Sequence, residues 1–127
     1  MNALLSIRPR YVELIASGKK QYEFRKSLFR NRNIGKVYIY ATRPVGRIVG
    51  SFRVGTILED HPQRLWEQLK DVSGLTEDEF FEYFGQRDRG FAIKIESLDR
   101  MAEPIDPRAL DADFVAPQSF CYLASDL

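Results

Sequence analysis

The spacing of apolar residues changes twice within the first quarter of the chain. Residues 3–7 (ALLSI) form a short apolar run that predicts a buried strand. Pro9 suits the first turn of a helix, and apolar residues at helical spacing continue until Gly18, a typical helix end. From Lys20 the pattern alternates, which predicts a half-buried strand. One face carries Tyr22 and Phe24, and the other carries Gln21, Glu23 and Arg25.

The centre of the chain predicts two further strands. Residues 27–34 have the composition of a basic loop, and residues 36–42 (KVYIYAT) are apolar on both faces, which predicts a central strand. Residues 47–58 predict a long strand. Gly50 and Gly55 interrupt it, and they predict bends or bulges of the kind that closes a small barrel.

Two helices are predicted after this strand. The first opens at Pro62 and ends near Gly74. The second begins at Thr76, which has capping-box spacing with Glu79, and continues to Gly85.

Residues 90–98 return to a strand, and the tail from Pro104 ends in an apolar cluster that we expect to pack back onto the barrel. Together these elements predict an α+β fold: a small mixed β-barrel of about five to six strands with flanking helices. The 127 residues fit one compact domain, residues 1–127. The apolar cluster of the tail comprises Phe114, Val115, Phe120, Tyr122 and Leu123.

Composition narrows the classes of function. The one cysteine, Cys121, excludes an intramolecular disulfide and a cysteine-based zinc site, and it fits a reducing, cytoplasmic location. No apolar run approaches the roughly 20 residues that cross a bilayer, and the N-terminus lacks signal-peptide features, so we expect no membrane partner. The one histidine, His61, precedes a helix, where capping is typical. No metal or nucleotide-binding motif is present, so neither a metal nor a cofactor is expected.

The net charge of +1 conceals an imbalance between the two parts of the chain. Up to residue 53 there are 12 Lys or Arg and 2 Asp or Glu, whereas the remainder has 7 basic and 16 acidic residues. Such asymmetry indicates a surface for nucleic acid or phosphate on the basic part. The alternative is that folding interleaves the two parts and cancels much of the difference.

Charged residues are most concentrated around the strand that follows Gly18. Lys20, Glu23 and Arg25 stand within six positions, and the first strand and the glycine turn flank the same short helix. A cation can donate to phosphate or a base edge, and a carboxylate can accept from an exocyclic amine. A surface ion pair between Glu23 and Arg25 is the alternative interpretation. Further cations nearby in sequence are Arg8, Arg10, Lys19 and Lys26.

At these residues the sequence resembles the ASCH domains of the PUA-like superfamily. The family signature GxKxxExR is complete as Gly18, Lys20, Glu23 and Arg25. Residues 4–18 are similar to the family's opening strand and helix. Two further segments resemble small single-domain members of the bacterial and phage type: YATRPVG at 40–46 and PQSFCYL at 117–123.

The resemblance implies a PUA-like barrel with a cleft lined by the signature, and an RNA-related role, since the superfamily includes many RNA-binding modules. Small bacterial ASCH amidohydrolases remove the acetyl group from N4-acetylcytidine with a lysine, a threonine and a glutamate, and another member has been linked to ribonuclease activity. Lys20 matches the lysine. Glu23 occupies the threonine position, and the third position falls near Ser73, two residues from Asp71, which argues against the acetyl-removing mechanism.

Three hypotheses follow. The preferred one is an RNA-binding ASCH domain whose basic cleft holds RNA or a nucleotide. The second is a hydrolase acting on a modified nucleoside such as N4-acetylcytidine, or on RNA, with Lys20 and Glu23 as catalytic residues; the sequence leaves open whether the protein is an enzyme. The third is a protein-interaction domain that contacts a partner through the acidic helical region, residues 59–84. The predicted ligand-binding residues are Arg8, Lys19, Lys20, Glu23, Arg25 and Arg43.

Overall fold

The computed structural model describes every residue from Met1 to Leu127, as one six-stranded sheet with three α-helices. The α+β class and the number of strands agree with the prediction. No helix has both the length and the apolar character that crossing a membrane requires. The strands are β1 (Asn2–Ile7), β2 (Tyr22–Arg25), β3 (Lys36–Ala41), β4 (Arg47–Asp60), β5 (Gly90–Ile105) and β6 (Phe120–Leu123), and the helices are α1 (Pro9–Ala16), α2 (Pro62–Leu69) and α3 (Glu77–Phe84).

The sheet is mixed and curls into a half-barrel with the strand order β2-β5-β4-β3-β1-β6. β1 and β3 are parallel, with Ile7 opposite Ala41, and every other neighbouring pair is antiparallel. The central position predicted for β3 is therefore confirmed. β2 and β6 lie at the two edges, so the signature strand pairs with β5 alone.

The predicted bends in β4 are present. Its pairing with β5 shifts register between Ile48 and Gly50 and again between Val54 and Ile57, a stretch that includes Gly55. β5 extends beyond the predicted residue 98 because it pairs with β4 along most of its length. The added residues, 99–105, are largely exposed and mix charged with apolar side chains irregularly, so no apolar period marked them as a strand.

Residues alternate between two cores along β1. Ala3, Leu5 and Ile7 belong to the main core, where α1 adds Val12 and Ile15. The intervening Leu4 faces a smaller core on the other side of the sheet, together with Tyr38, Tyr40 and Ile48. Burial on both faces explains why β1 and β3 are almost continuously apolar.

A third, helical core lies beside the signature strand, where Phe24 packs against α2 and α3. The predicted capping box begins α3: Glu79 N donates to Thr76 Oγ1 at 3.2 Å, and Thr76 N donates to Glu79 Oε1 at 2.9 Å. His61 caps α2 as expected, its Nδ1 accepting from Gln63 N at 3.1 Å. α2 is shorter than predicted, because a 3₁₀ turn, Lys70–Val72, follows it.

The tail packs back onto the sheet for the most part. The ring of Phe114 lies 5.4 Å from that of Tyr40, and Cys121 and Leu123 contact the smaller core. Val115 is 83% exposed, so the expectation that it joins an apolar cluster is wrong. It lies in an irregular segment before β6, where no sheet pairing directs its side chain inward.

Candidate functional site

The signature begins at a glycine turn that fixes the start of β2. Gly18 has a φ of +82°, a value that suits glycine, and Lys20 N donates to Leu14 O at 3.0 Å. On the other side, Gln21 N donates to Val72 O at 2.8 Å. The start of β2 is therefore held between α1 and the connection from α2 to α3.

A second glycine allows the Lys20 side chain to be buried. Gly74 has a φ of +70°, and a side-chain carbon there would lie 2.7 Å from Lys20 Cβ. The Lys20 ammonium donates to the carbonyl oxygen of Ser73 at 3.0 Å. It also lies 4.9 Å from the ring centre of Phe24 and 5.6 Å from that of Tyr11, within range of cation–π attraction. The ammonium is thus enclosed by a carbonyl and two aromatic rings.

The three ionisable groups of the signature form one buried cluster. Lys20 is 3% exposed, and Glu23 and Arg25 are each 8% exposed. Glu23 Oε1 lies 3.8 Å from the Lys20 ammonium, and Glu23 Oε2 lies 3.0 Å from an Arg25 terminal nitrogen. β2 is therefore buried on both faces, which corrects the prediction of a half-buried strand. The alternative of a surface ion pair is wrong for the same reason: neighbouring elements cover the polar face.

Arg25 connects the signature to β1. One of its terminal nitrogens donates to Ser6 O at 3.2 Å as well as pairing with Glu23. Its Nε is buried and has no hydrogen-bond partner. Nearly all buried polar atoms in proteins are paired, so this unpaired N–H donor within the ion-pair cluster is unusual.

Burial changes the acid–base properties of the cluster. It lowers the pKa of the Lys20 ammonium, while the Glu23 carboxylate opposes this by raising it and Arg25 lowers it further. Arg25 and Glu23 shift the pKa of Lys20 in opposite directions, so the charge of Lys20 depends on Glu23.

The cluster lies in a cleft of about 580 Å³, which we call the signature cleft. Its charged lining balances three cations (Arg8, Lys20, Arg25) against three carboxylates (Glu23, Glu79, Glu82). The lining is therefore mixed in charge and offers hydrogen-bond donors and acceptors side by side. The remaining lining residues are Ser6, Ile7, Tyr11, Phe24, Leu75, Tyr83 and Gln118.

Sequence reasoning missed the wall that α3 contributes. Glu79 accepts from the Tyr11 hydroxyl at 3.2 Å and pairs with Arg10 at 2.9 Å, in addition to its capping role. Burial and then Glu79 raise the pKa of Tyr11, and burial raises the pKa of Tyr83. Glu79, Glu82 and Tyr83 stand at i, i+3 and i+4, so they share one helical face. That spacing was the signal available in the sequence.

The structure brings together four of the six predicted ligand-binding residues. Arg8, Lys20, Glu23 and Arg25 line the signature cleft. Lys19 lies in a neighbouring groove, and Arg43 lies in a third.

Ser73, which lies near the third position of the amidohydrolase set, is fully buried. Its hydroxyl donates to Lys70 O at 2.9 Å. The chain has no group of three or more His, Cys, Asp or Glu residues placed to hold a metal ion.

Comparison with known proteins decides the family. The model of the ASCH domain matches residues 5–102. The chain belongs to the ASCH-domain family. This ASCH domain is 31% identical, over 98% of its length and 85% of the relative's, to a protein of Zymomonas mobilis subsp. mobilis named ASCH domain-containing ribonuclease.

Solved structures agree with the family assignment. The crystal structure of ASCH from Zymomonas mobilis is 28% identical, with a TM-score of 0.88 over 96% of this chain and 87% of that one. A ZmASCH variant with phenylalanine in place of a tyrosine is 27% identical, also with a TM-score of 0.88, over 96% of this chain and 89% of that one. The ASCH domain and these proteins share their fold over almost the whole chain.

Proposed function

We propose that this ASCH domain binds single-stranded RNA by taking one unpaired nucleotide into the signature cleft. One observation carries the proposal: the carboxylate of Glu23 and the guanidinium of Arg25 converge with Lys20 in a single concave site. Its volume, about 580 Å³, lies in the usual range of small-molecule sites. The ribonuclease name of the Zymomonas relative supports RNA as the ligand class.

The balanced charge of the cleft favours a nucleobase over a bare phosphate at its centre. Unpaired bases are recognised through hydrogen bonds to their edges and by stacking on aromatic rings. Glu23 and Glu82 supply acceptors for an exocyclic amine, Arg25 supplies donors, and Tyr11 and Tyr83 supply rings. Arg8, exposed at the cleft, suits the phosphate of the same nucleotide.

The test is titration of a labelled ten-nucleotide single-stranded RNA, followed by fluorescence anisotropy over a series of salt concentrations. Arg8→Ala is expected to weaken binding and to reduce the slope of log K against log salt by about 0.7, the contribution of one phosphate contact. Arg53→Ala removes an exposed arginine that lines none of the three grooves, and it is the matched control. Absence of binding at low salt, or an affinity that does not change with salt concentration, contradicts the proposal.

Base recognition has its own control pair on α3. Glu82 is exposed and lines the cleft, whereas Glu77 is exposed on the same helix and does not. Glu82→Gln is expected to reduce the preference among bases, because it replaces a carboxylate that only accepts hydrogen bonds with an amide that both donates and accepts them. Glu77→Gln is expected to leave that preference unchanged. An equal effect of both variants contradicts base recognition in the cleft.

A second candidate function is cleavage of the bound RNA, favoured by the Glu23 carboxylate beside a lysine whose pKa burial lowers. Glu23 accepts the proton of a ribose 2′-hydroxyl, and that oxygen bonds to phosphorus. The bond from phosphorus to the 5′ oxygen breaks, and Lys20 donates a proton to this leaving oxygen. The products are a 2′,3′-cyclic phosphate and a 5′-hydroxyl.

Incubating end-labelled RNA with the wild type, Lys20→Met and Glu77→Gln separates cleavage from binding. Wild type and Glu77→Gln are expected to give fragments with cyclic phosphate ends, and Lys20→Met is expected to give none. Intact RNA with the wild type, or equal cleavage by Lys20→Met, rejects catalysis. N4-acetylcytidine is expected to stay intact, since Glu23 replaces the threonine and the Ser73 hydroxyl is committed to Lys70 O.

A further inference from the structure

A second group of arginines lies at the same end of the sheet as the signature cleft. Ile7 and Ala41 end the parallel neighbours β1 and β3, and Thr42 N donates to Ile7 O at 3.0 Å. Adjacent strands lie about 4.8 Å apart, so the segments that leave them begin as neighbours. Arg8 leaves β1 into the signature cleft, and Arg43 leaves β3 into another groove.

The groove that holds Arg43, which we call the arginine groove, has a volume of about 610 Å³. Three of its seven lining residues are arginines and none is acidic, in contrast to the balanced lining of the signature cleft. The lining residues are Tyr40, Arg43, Pro44, Val45, Gly46, Arg47 and Arg108.

The arginines of this groove keep most of their donors free. Asp106 approaches two of them, but its oxygens lie 3.9 Å from Arg47 Nη1 and 4.0 Å from Arg108 Nη1, too far for hydrogen bonds. One Asp106 oxygen already accepts from the Arg108 backbone N at 3.0 Å. Arg47 Nη1 donates to Gly46 O at 3.1 Å. Because each guanidinium has five N–H donors, the groove retains a large capacity for an anion.

We infer that Arg43, Arg47 and Arg108 bind a backbone phosphate of the RNA strand whose neighbouring nucleotide occupies the signature cleft. The inference rests on the proposed function and adds a second contact to it. The guanidinium fork matches phosphate oxygens in pairs. The groove then binds the backbone of any sequence, while the signature cleft distinguishes bases.

The experiment compares an oligonucleotide with a mononucleotide. The labelled ten-nucleotide RNA is titrated by anisotropy from 50 mM KCl upwards, and cytidine 5′-monophosphate is titrated by calorimetry. The test variant is Arg43→Ala/Arg108→Ala, because both side chains are exposed, whereas Arg47 also holds the Gly46 carbonyl. The control is Arg30→Ala/Arg53→Ala, which removes two exposed arginines outside the grooves.

The test variant is expected to bind RNA about tenfold more weakly than the wild type, with a salt slope smaller by about 0.7 for one lost phosphate. Its affinity for the mononucleotide is expected to be unchanged, and the control is expected to match the wild type in both titrations. Circular dichroism melting of each variant verifies that the fold is retained.

Each other outcome overturns a specific statement. If the test variant binds RNA normally while Arg8→Ala binds weakly, the arginine groove is not a phosphate site and the proposed function stands. If the control loses as much affinity as the test variant, the arginines act only through general electrostatic attraction to RNA, and the inference is wrong. If the test variant binds weakly while Arg8→Ala and Glu82→Gln are normal, the groove binds phosphate and the cleft proposal fails. If the wild type binds no RNA, both are wrong.

Discussion

Replacing Glu23 by glutamine removes the carboxylate that lies between two buried cations. Its oxygens lie 3.8 Å from the Lys20 ammonium and 3.0 Å from an Arg25 nitrogen. At an effective dielectric constant of 20, the two pairs attract by about 4.4 and 5.5 kcal/mol, part of which offsets the cost of burying the charges. Removing one partner of a buried pair typically costs about 3 to 5 kcal/mol. We expect the lower value at pH 7, about 3 kcal/mol, because glutamine keeps an oxygen for Arg25.

The loss is expected to shrink as the pH rises. Burial holds the pKa of Lys20 in the folded protein below its ordinary value of 10.5, and Glu23 opposes that shift. Between the folded and unfolded pKa values the unfolded chain binds more protons, so stability increases with pH in that window. Without Glu23 the folded pKa falls further and the window widens toward neutral pH. Glu23→Gln therefore recovers part of its lost stability as Lys20 deprotonates, and it does so more than the wild type.

Urea unfolding followed by fluorescence of the one tryptophan, Trp66, measures both effects at pH 7, 8.5 and 10. Trp66 packs against Phe80 with ring centres 5.1 Å apart, so unfolding changes its surroundings. Glu13→Gln, which breaks an exposed pair with Arg100, is the control and is expected to change stability much less. A loss below about 1 kcal/mol for Glu23→Gln at pH 7, or the same loss at pH 7 and pH 10, refutes the reasoning.

Three further predictions concern the support of the cleft. Gly74→Ala is expected to destabilise the fold by about 2 kcal/mol or more and to weaken RNA binding, because its new carbon meets Lys20 Cβ at 2.7 Å. Gly85→Ala is the control: Gly85 has a φ of +59° and nothing within 4 Å, so its expected loss of about 1 kcal/mol measures backbone strain alone. Thr76→Ala is expected to cost about 1 kcal/mol by thermal unfolding, since it removes the α3 cap. Phe80→Ala is expected to cost about 3 to 5 kcal/mol in urea, because Phe80 is fully buried in the helical core; a loss near 1 kcal/mol would show that this core collapses around the cavity.

Local sequence rules accounted for most of the fold. The continuous apolar run of β3, the capping box at Thr76 and the cap at His61 each depend on residues close in the chain, and each is present. The predictions that were wrong depend on contacts between distant segments. The second half of β5 is defined by pairing with β4, and the exposure of Val115 depends on how the tail crosses the sheet.

The candidate site divides in the same way. The signature spacing located Lys20, Glu23 and Arg25, because one strand and one turn position all three. The burial of these three side chains was not predictable from that strand, because the atoms that cover them belong to α1, α3 and the α2–α3 connection. The wall formed by Glu79 and Glu82 required the packing of α3, and whether the lining is basic or balanced depends on that packing.

The signature strand is an edge strand, so backbone hydrogen bonds of the sheet secure it on one side only. Its other side is fastened by the Gln21–Val72 bond and by the side chains of Lys20 and Arg25. Such a strand can detach together with the helical core while β1, β3 and β4 stay folded, at less cost than global unfolding. Any ligand that bridges Arg25 and Glu82 would suppress this local opening, so slowed amide hydrogen exchange at residues 22–25 would report occupancy of the cleft directly.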